Sequence, residues 1–188
     1  MRAFAWWKMC MALMASLVSV TPAAAVTIHS LDVTHNRGRY HIAFDVLIAA
    51  DPAKTYEIIS SYRKWPLFFR TLEKTQLVTT FADGRQRIRL TFRSCVLFIC
   101  RKILQVKDVT RRQGSDIFTR IVPDGKYFES GWEHWHLAGD EQNTRVQYRA
   151  ELVPGFNSMP LIGPWLLKNK LRRSLLWAAE KAEALAAP

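Results

Sequence analysis

Acidic residues are scarce in this chain. Its 188 residues include 16 Asp and Glu against 27 Lys and Arg, a formal net charge of +11. An excess of that size favours anionic partners. Cysteine is scarcer still: Cys10, Cys95 and Cys100 are the only three. Their positions lack zinc-type spacing, which removes a structural zinc module. No glycine-rich phosphate loop and no nucleophile elbow occur, so the usual signatures of nucleotide hydrolysis and serine hydrolysis are missing. Repeats and low-complexity stretches are absent too. Neither of two candidate apolar segments suits a membrane span. The N-terminal one is shorter than the ~20 residues required, and the C-terminal one is interrupted by Lys168, Lys170, Arg172, Arg173 and Glu180.

What is present is a large apolar content, 49% hydrophobic with 12% aromatic. That suits one globular domain with a sizeable core. The expected division is residues 1–25 as a signal peptide and 26–188 as the domain, the alternative for the first segment being an uncleaved anchor. Arg2 and Lys8 form a short positive region, Met9 to Val20 an apolar one, and Ala23, Ala24 and Ala25 a small-residue cleavage site. Export to an oxidising compartment follows, the periplasm in a Gram-negative source. A basic protein there meets anionic lipid headgroups and lipopolysaccharide rather than nucleic acid.

Along the remaining chain, Val26 to Ala49 reads as extended, broken by a turn at Asn36-Arg37-Gly38-Arg39. Asp51 and Pro52 suit the N-cap and first position of a short helix. That helix should carry Tyr56 and Ile59 inward. Trp65-Pro66-Leu67-Phe68-Phe69 reads as a second short helix or turn. Strands then follow at Leu77–Phe81, Gln86–Ser94, around Leu104 to Val109, Ile117–Val122, Tyr127–Leu137 and through Val146 to Leu152. In Gln86–Ser94 the residues Ile88, Leu90 and Phe92 share one face, and a ladder of Arg85, Arg87, Arg89 and Arg93 takes the other.

The last segment, from Gly163, holds only good helix formers after Pro164. Leu167, Leu171, Leu175, Ala178, Ala182 and Leu185 share one narrow face of a rod of about 35 Å. Trp165 and Leu176 lie roughly opposite. The expected architecture is α+β: a curved antiparallel sheet of about six to seven strands wrapped around a long C-terminal helix. Two short helices should follow the first strand. Such an arrangement buries both apolar faces.

The segment from Val46 through Asp51-Pro52 to Tyr56, then Tyr62 to Phe69, Trp135-His136-Leu137 with Thr144 to Tyr148, and Phe156 through the last helix resemble the START-like helix-grip superfamily. Polyketide cyclases and coenzyme Q-binding proteins belong to it. The resemblance spans residues 40–186. It implies a hydrophobic cavity between sheet and helix that holds a lipid, isoprenoid, quinone or polyketide. The lining expected there is Trp65, Phe68, Phe69, Leu90, Phe92, Glu133, Trp135, Tyr148, Leu167 and Leu171. No cofactor and no shared catalytic signature come with it.

Several constellations have two readings each. Glu133 shares parity with Trp135 and Leu137 and so should face inward. It is either a general-acid candidate or, more commonly, a carboxylate paired with arginine. His134 and His136 share the opposite face, as strand-borne metal ligands can, but the sequence supplies no third ligand. The arginine ladder is either a solvated sheet face or a dock for anionic headgroups. Segment 94–102 is apolar at Val96, Leu97, Phe98 and Ile99, so it is either buried strand or an inserting hairpin tip. In the second case Leu97 and Phe98 enter a membrane while Arg101 and Lys102 meet headgroups. Cys95 and Cys100 would staple that tip. Direct pairing of these cysteines turns Leu104 and Val106 onto the arginine face, so a one-residue bulge is expected to restore alternation. The functional expectation is a monomeric carrier of a hydrophobic small molecule, without catalysis. The alternative is a cyclase or dehydratase. Two ionisable groups converging in the cavity would favour the enzyme.

Overall fold

A computed structural model describes residues 26–96, 99–112, 114–155 and 163–186. The expected signal peptide lies outside them. The chain opens with strands β1 (Thr27–Asn36) and β2 (Arg39–Ile48), joined by the two residues Arg37 and Gly38. Both have positive φ, 49° and 78°. That backbone matches the twist of a tight hairpin, and glycine accepts it without strain. Helix α1 (Pro52–Ser60) starts where Asp51 accepts the Lys54 amide N–H at 2.9 Å. A 3-10 turn at Tyr62–Lys64 and the one-turn helix α2 (Trp65–Phe68) follow.

Six strands come next: β3 (Leu72–Thr80), β4 (Gln86–Val96), β5 (Ile99–Arg112), β6 (Asp116–Val122), β7 (Phe128–Gly139) and β8 (Thr144–Pro154). All pairings are antiparallel, in the order β1-β2-β8-β7-β6-β5-β4-β3. The sheet therefore has eight strands, more than expected, because the extended stretch before α1 supplies two, β1 and β2, and six follow α2. The short helices follow the second strand, not the first. They carry the chain from β2 to the opposite edge of the sheet at β3.

Helix α3 (Gly163–Ala186) packs on β1, β2, α1 and α2. Its Leu175 joins the core of Phe44, Val46, Leu137 and Tyr148, with Leu167, Leu171 and Ala178 against it. A second cluster gathers Tyr62, Trp65 and Leu72 over Ile88, Leu90, Val109 and Ile117. Ile88 and Leu90 are fully buried, each worth about 1.5–3 kcal/mol by transfer. Because α3 rests on the β1–β2 half, the sheet is left uncovered by the helix over part of β4 and β5. A cavity occupies that gap.

The register of β4 against β5 decides what faces it. Pairing runs without a bulge from Gln86↔Val109 through Leu90↔Gln105 to Cys95↔Cys100. The expected repair of alternation is therefore not made. Leu104 stays 42% exposed, while Gln105 and Lys107 are buried at 5% each. Two polar side chains are turned inward where apolar ones were expected.

Candidate ligand cavity and its polar cluster

The cavity measures about 330 Å³. That is near the lower end of the ~300–1,000 Å³ usual for small-molecule sites, enough for one ring system or a single short chain. A second space of about 60 Å³ lies alongside, deeper toward Ile58 and Val146. Trp65, Phe69, Leu90, Phe92, Glu133, Trp135, Tyr148, Leu167 and Leu171 line the larger cavity. Phe68 lines the smaller one. Trp135 and Tyr148 pack at 4.5 Å between ring centroids, and Phe44 stacks on Tyr148 at 4.7 Å. Sequence reasoning missed Gln105 and Lys107, which also line the space. Only the cross-strand register given by the cysteine pair could have revealed them.

Glu133 faces inward from β7 as its parity requires, and its partner is lysine, not arginine. Lys107 Nζ donates to Glu133 Oε1 at 2.5 Å, and both side chains are more than nine-tenths buried. The second carboxylate oxygen accepts from Thr119 Oγ1 at 2.9 Å. Three strands thus fix one carboxylate. Tyr148 sits beside it from β8. Burial pushes the phenol well above its usual range, and the charge of Glu133 raises it further. The hydroxyl therefore stays protonated. Trp135 contributes an indole Nε1–H that is buried without a hydrogen-bond partner. An unpaired buried donor is costly, and a ligand acceptor would relieve it.

Arg93 and Lys170 also line the cavity, and the exposed Arg93 side chain lies 3.7 Å from Glu73. Lys170 Nζ on α3 donates to the Cys95 carbonyl at 3.2 Å, tying the helix to the hairpin that the Cys95–Cys100 disulfide closes. Leu97 and Phe98 lie outside the described residues. Arg101 and Lys102 are exposed, with Lys102 Nζ 3.3 Å from Glu73.

The arginine ladder is partly neutralised. Arg87 makes a two-pronged contact with Asp108 at 2.7 and 2.9 Å, and Arg85 binds Asp83 at 2.6 Å. His134 and His136 do acquire a carboxylate neighbour, Asp116 of β6. Both rings converge on one oxygen, at 2.8 and 3.0 Å, leaving no gap for an ion between them. Ser115 Oγ donates to the other oxygen at 2.6 Å. That bond, followed by those from the two histidines, holds the Asp116 carboxyl well below the usual carboxylate range. Among the described residues no group of three His, Cys, Asp or Glu has metal-holding geometry.

No protein-family model matches the sequence, and no curated protein matches it. Solved structures do match in shape. A START superfamily protein from Mycobacterium smegmatis is 17% identical, with TM-score 0.59 over 78% of this chain and 96% of the other. The Zhui aromatase/cyclase from Streptomyces sp. R1128 is 15% identical, with TM-score 0.59 over 79% and 93%. A STAR-related lipid transfer protein from Xanthomonas axonopodis is 11% identical, with TM-score 0.55 over 81% and 98%. These likenesses, with the eight-stranded antiparallel sheet and the C-terminal helix, make the fold START-like, of the helix-grip kind.

Proposed function

We propose that this protein is an exported binding protein for a small amphipathic molecule with an apolar body and one oxygenated end. The observation that carries this reading is the Lys107–Glu133–Tyr148 cluster set into a largely apolar cavity. The aromatic and leucine wall desolvates the body of the ligand. A carbonyl or hydroxyl on the ligand meets Lys107, Tyr148 and the unpartnered Trp135 Nε1–H. The volume favours a quinone-, isoprenoid- or polyketide-sized molecule over a two-chain lipid. Similarity in fold to a lipid transfer protein and an aromatase/cyclase supports a hydrophobic ligand without choosing between carriage and chemistry, whereas the convergence of Lys107 and Glu133 in the cavity favours the second reading, a cyclase or dehydratase acting on the bound molecule.

Exchange of the ligand takes place at an anionic membrane in this reading. Trp165 is 67% exposed on the outer side of α3, close in sequence to the cavity residues Leu167 and Lys170. Native mass spectrometry of the exported protein, with solvent extraction, tests the binding reading. The expected cargo is an apolar molecule with an oxygen function. A protein that is always empty, and takes up no added 2-naphthol, would overturn it.

A further inference from the structure

We propose that Lys107 captures ligand aldehydes or ketones covalently, as an iminium whose counter-ion is Glu133. The inference rests on the binding reading above and gives the oxygenated end a chemical class, a carbonyl.

Three observations converge on it. Lys107 is both buried and part of the cavity wall, so its amine is within reach of a ligand and shielded from bulk water. A buried ion pair gains little stability over an apolar pair of similar volume, so packing alone does not account for it. The carboxylate is also held from behind: Thr119 binds Glu133 Oε2, which leaves Oε1 aimed at the amine. Trp135 then offers its unpartnered N–H as a candidate donor to the carbonyl oxygen.

The step balances within these groups. Lys107 passes one proton to Glu133, giving a neutral amine beside a carboxylic acid. The nitrogen lone pair forms a bond to the carbonyl carbon, and the carbon–oxygen π pair moves onto oxygen. A proton shifts from nitrogen to that oxygen, giving a neutral carbinolamine. Glu133 returns its proton to the hydroxyl, the carbon–oxygen bond breaks, and water leaves with the electron pair. The nitrogen lone pair closes the carbon–nitrogen double bond. Ammonium and carboxylate have become iminium and carboxylate, with one water released. The cavity holds the same charges before and after, so the step needs no change in net buried charge. The iminium draws electrons from the neighbouring carbon, as aldol and dehydration chemistry require.

The test is incubation of the full exported protein with 2-naphthaldehyde and cyanoborohydride, followed by peptide mapping. 2-Naphthol serves as the unreactive competitor, and its binding is measured separately by native mass spectrometry. The expected result is a reduced adduct on Lys107 that 2-naphthol suppresses. Lys107→Arg should lose that cavity adduct, and the unmutated protein supplies the 2-naphthol binding measurement. Glu133→Gln should form it roughly 100-fold more slowly, the usual scale of a lost proton-transfer group. Circular dichroism confirms that each variant is folded, and the unmutated protein decides the question if one is not. 2-Naphthol binding without a Lys107 adduct overturns the capture step and leaves the binding reading standing. No binding of either compound overturns both. Labelling confined to surface lysines, indifferent to 2-naphthol, also overturns the capture.

Discussion

Lys107 and Glu133 each carry a charge that the apolar surroundings penalise, and each is tolerable because the other is 2.5 Å away. Removing one partner strands the other. Lys107→Met should therefore lower stability by about 3–5 kcal/mol, whereas Lys107→Met combined with Glu133→Leu should recover most of that loss. Urea unfolding of the two variants checks this, and a double variant no better than the single one would contradict it. Asp116 offers a pH-dependent counterpart. Its folded carboxyl is held below its unfolded value by Ser115, His134 and His136, so its contribution is complete above the ordinary aspartate value of about 4. It is lost as pH falls below that value. Asp116→Asn should thus melt earlier than the unmutated protein at pH 6, with the gap narrowing toward pH 3. A gap that widens on acidification would reverse the sign.

On β7 the two faces are set by a period of two, and the structure places Trp135 and Trp132 on opposite ones. Trp135 packs against Phe44 and Tyr148 and lines both spaces, while Trp132 is 45% exposed. Trp135→Ala should cost about 3–5 kcal/mol and Trp132→Ala within about 0.5, measured by thermal melts. Greater damage from Trp132→Ala would mean the faces are reversed. Such period-two strands were legible in the sequence, as were the Asp51-capped helix α1 and the leucine stripe of α3. All three rest on local rules: alternation, capping and helical spacing. Two failures have physical causes. The start of β3, Leu72 to Gln76, has no alternation because it pairs on one side only and is largely exposed beyond Leu72. On β5 the alternation pointed the wrong way. Alternation puts Leu104 in the core, yet it is exposed, because the direct Cys95↔Cys100 register turns Gln105 and Lys107 inward. A strand whose inner face serves a ligand need not follow the pattern of one that serves only the core. The lining residues expected from the fold resemblance lie around the cavity, yet its ionic centre was half missing because it depends on that long-range register.

At the scale of the whole molecule, charge and apolar surface meet on the outer side of α3. The chain carries a net charge of +11, and Trp165 and Leu176 are 67% and 38% exposed on that helix. Arg172 and Arg173 are exposed between them, and Lys168 reaches Asp32 at 3.6 Å. No helix among the described residues is long and apolar enough to cross a membrane. A helix with this outer face suits the interfacial plane, with tryptophan at headgroup depth and arginines on anionic phosphates. The prediction is that the protein floats with vesicles containing anionic phospholipid and that 0.5 M salt releases much of it, since exposed charges are then screened. Trp165→Ser should weaken partitioning on the order of tenfold, equivalent to about 1.4 kcal/mol. The substitution lies on an exposed side chain, so melting should change little. Flotation that is equal for Trp165→Ser, or equal on neutral and anionic vesicles, would remove this face from the account. The cavity would then have to exchange its ligand through water or with a partner protein.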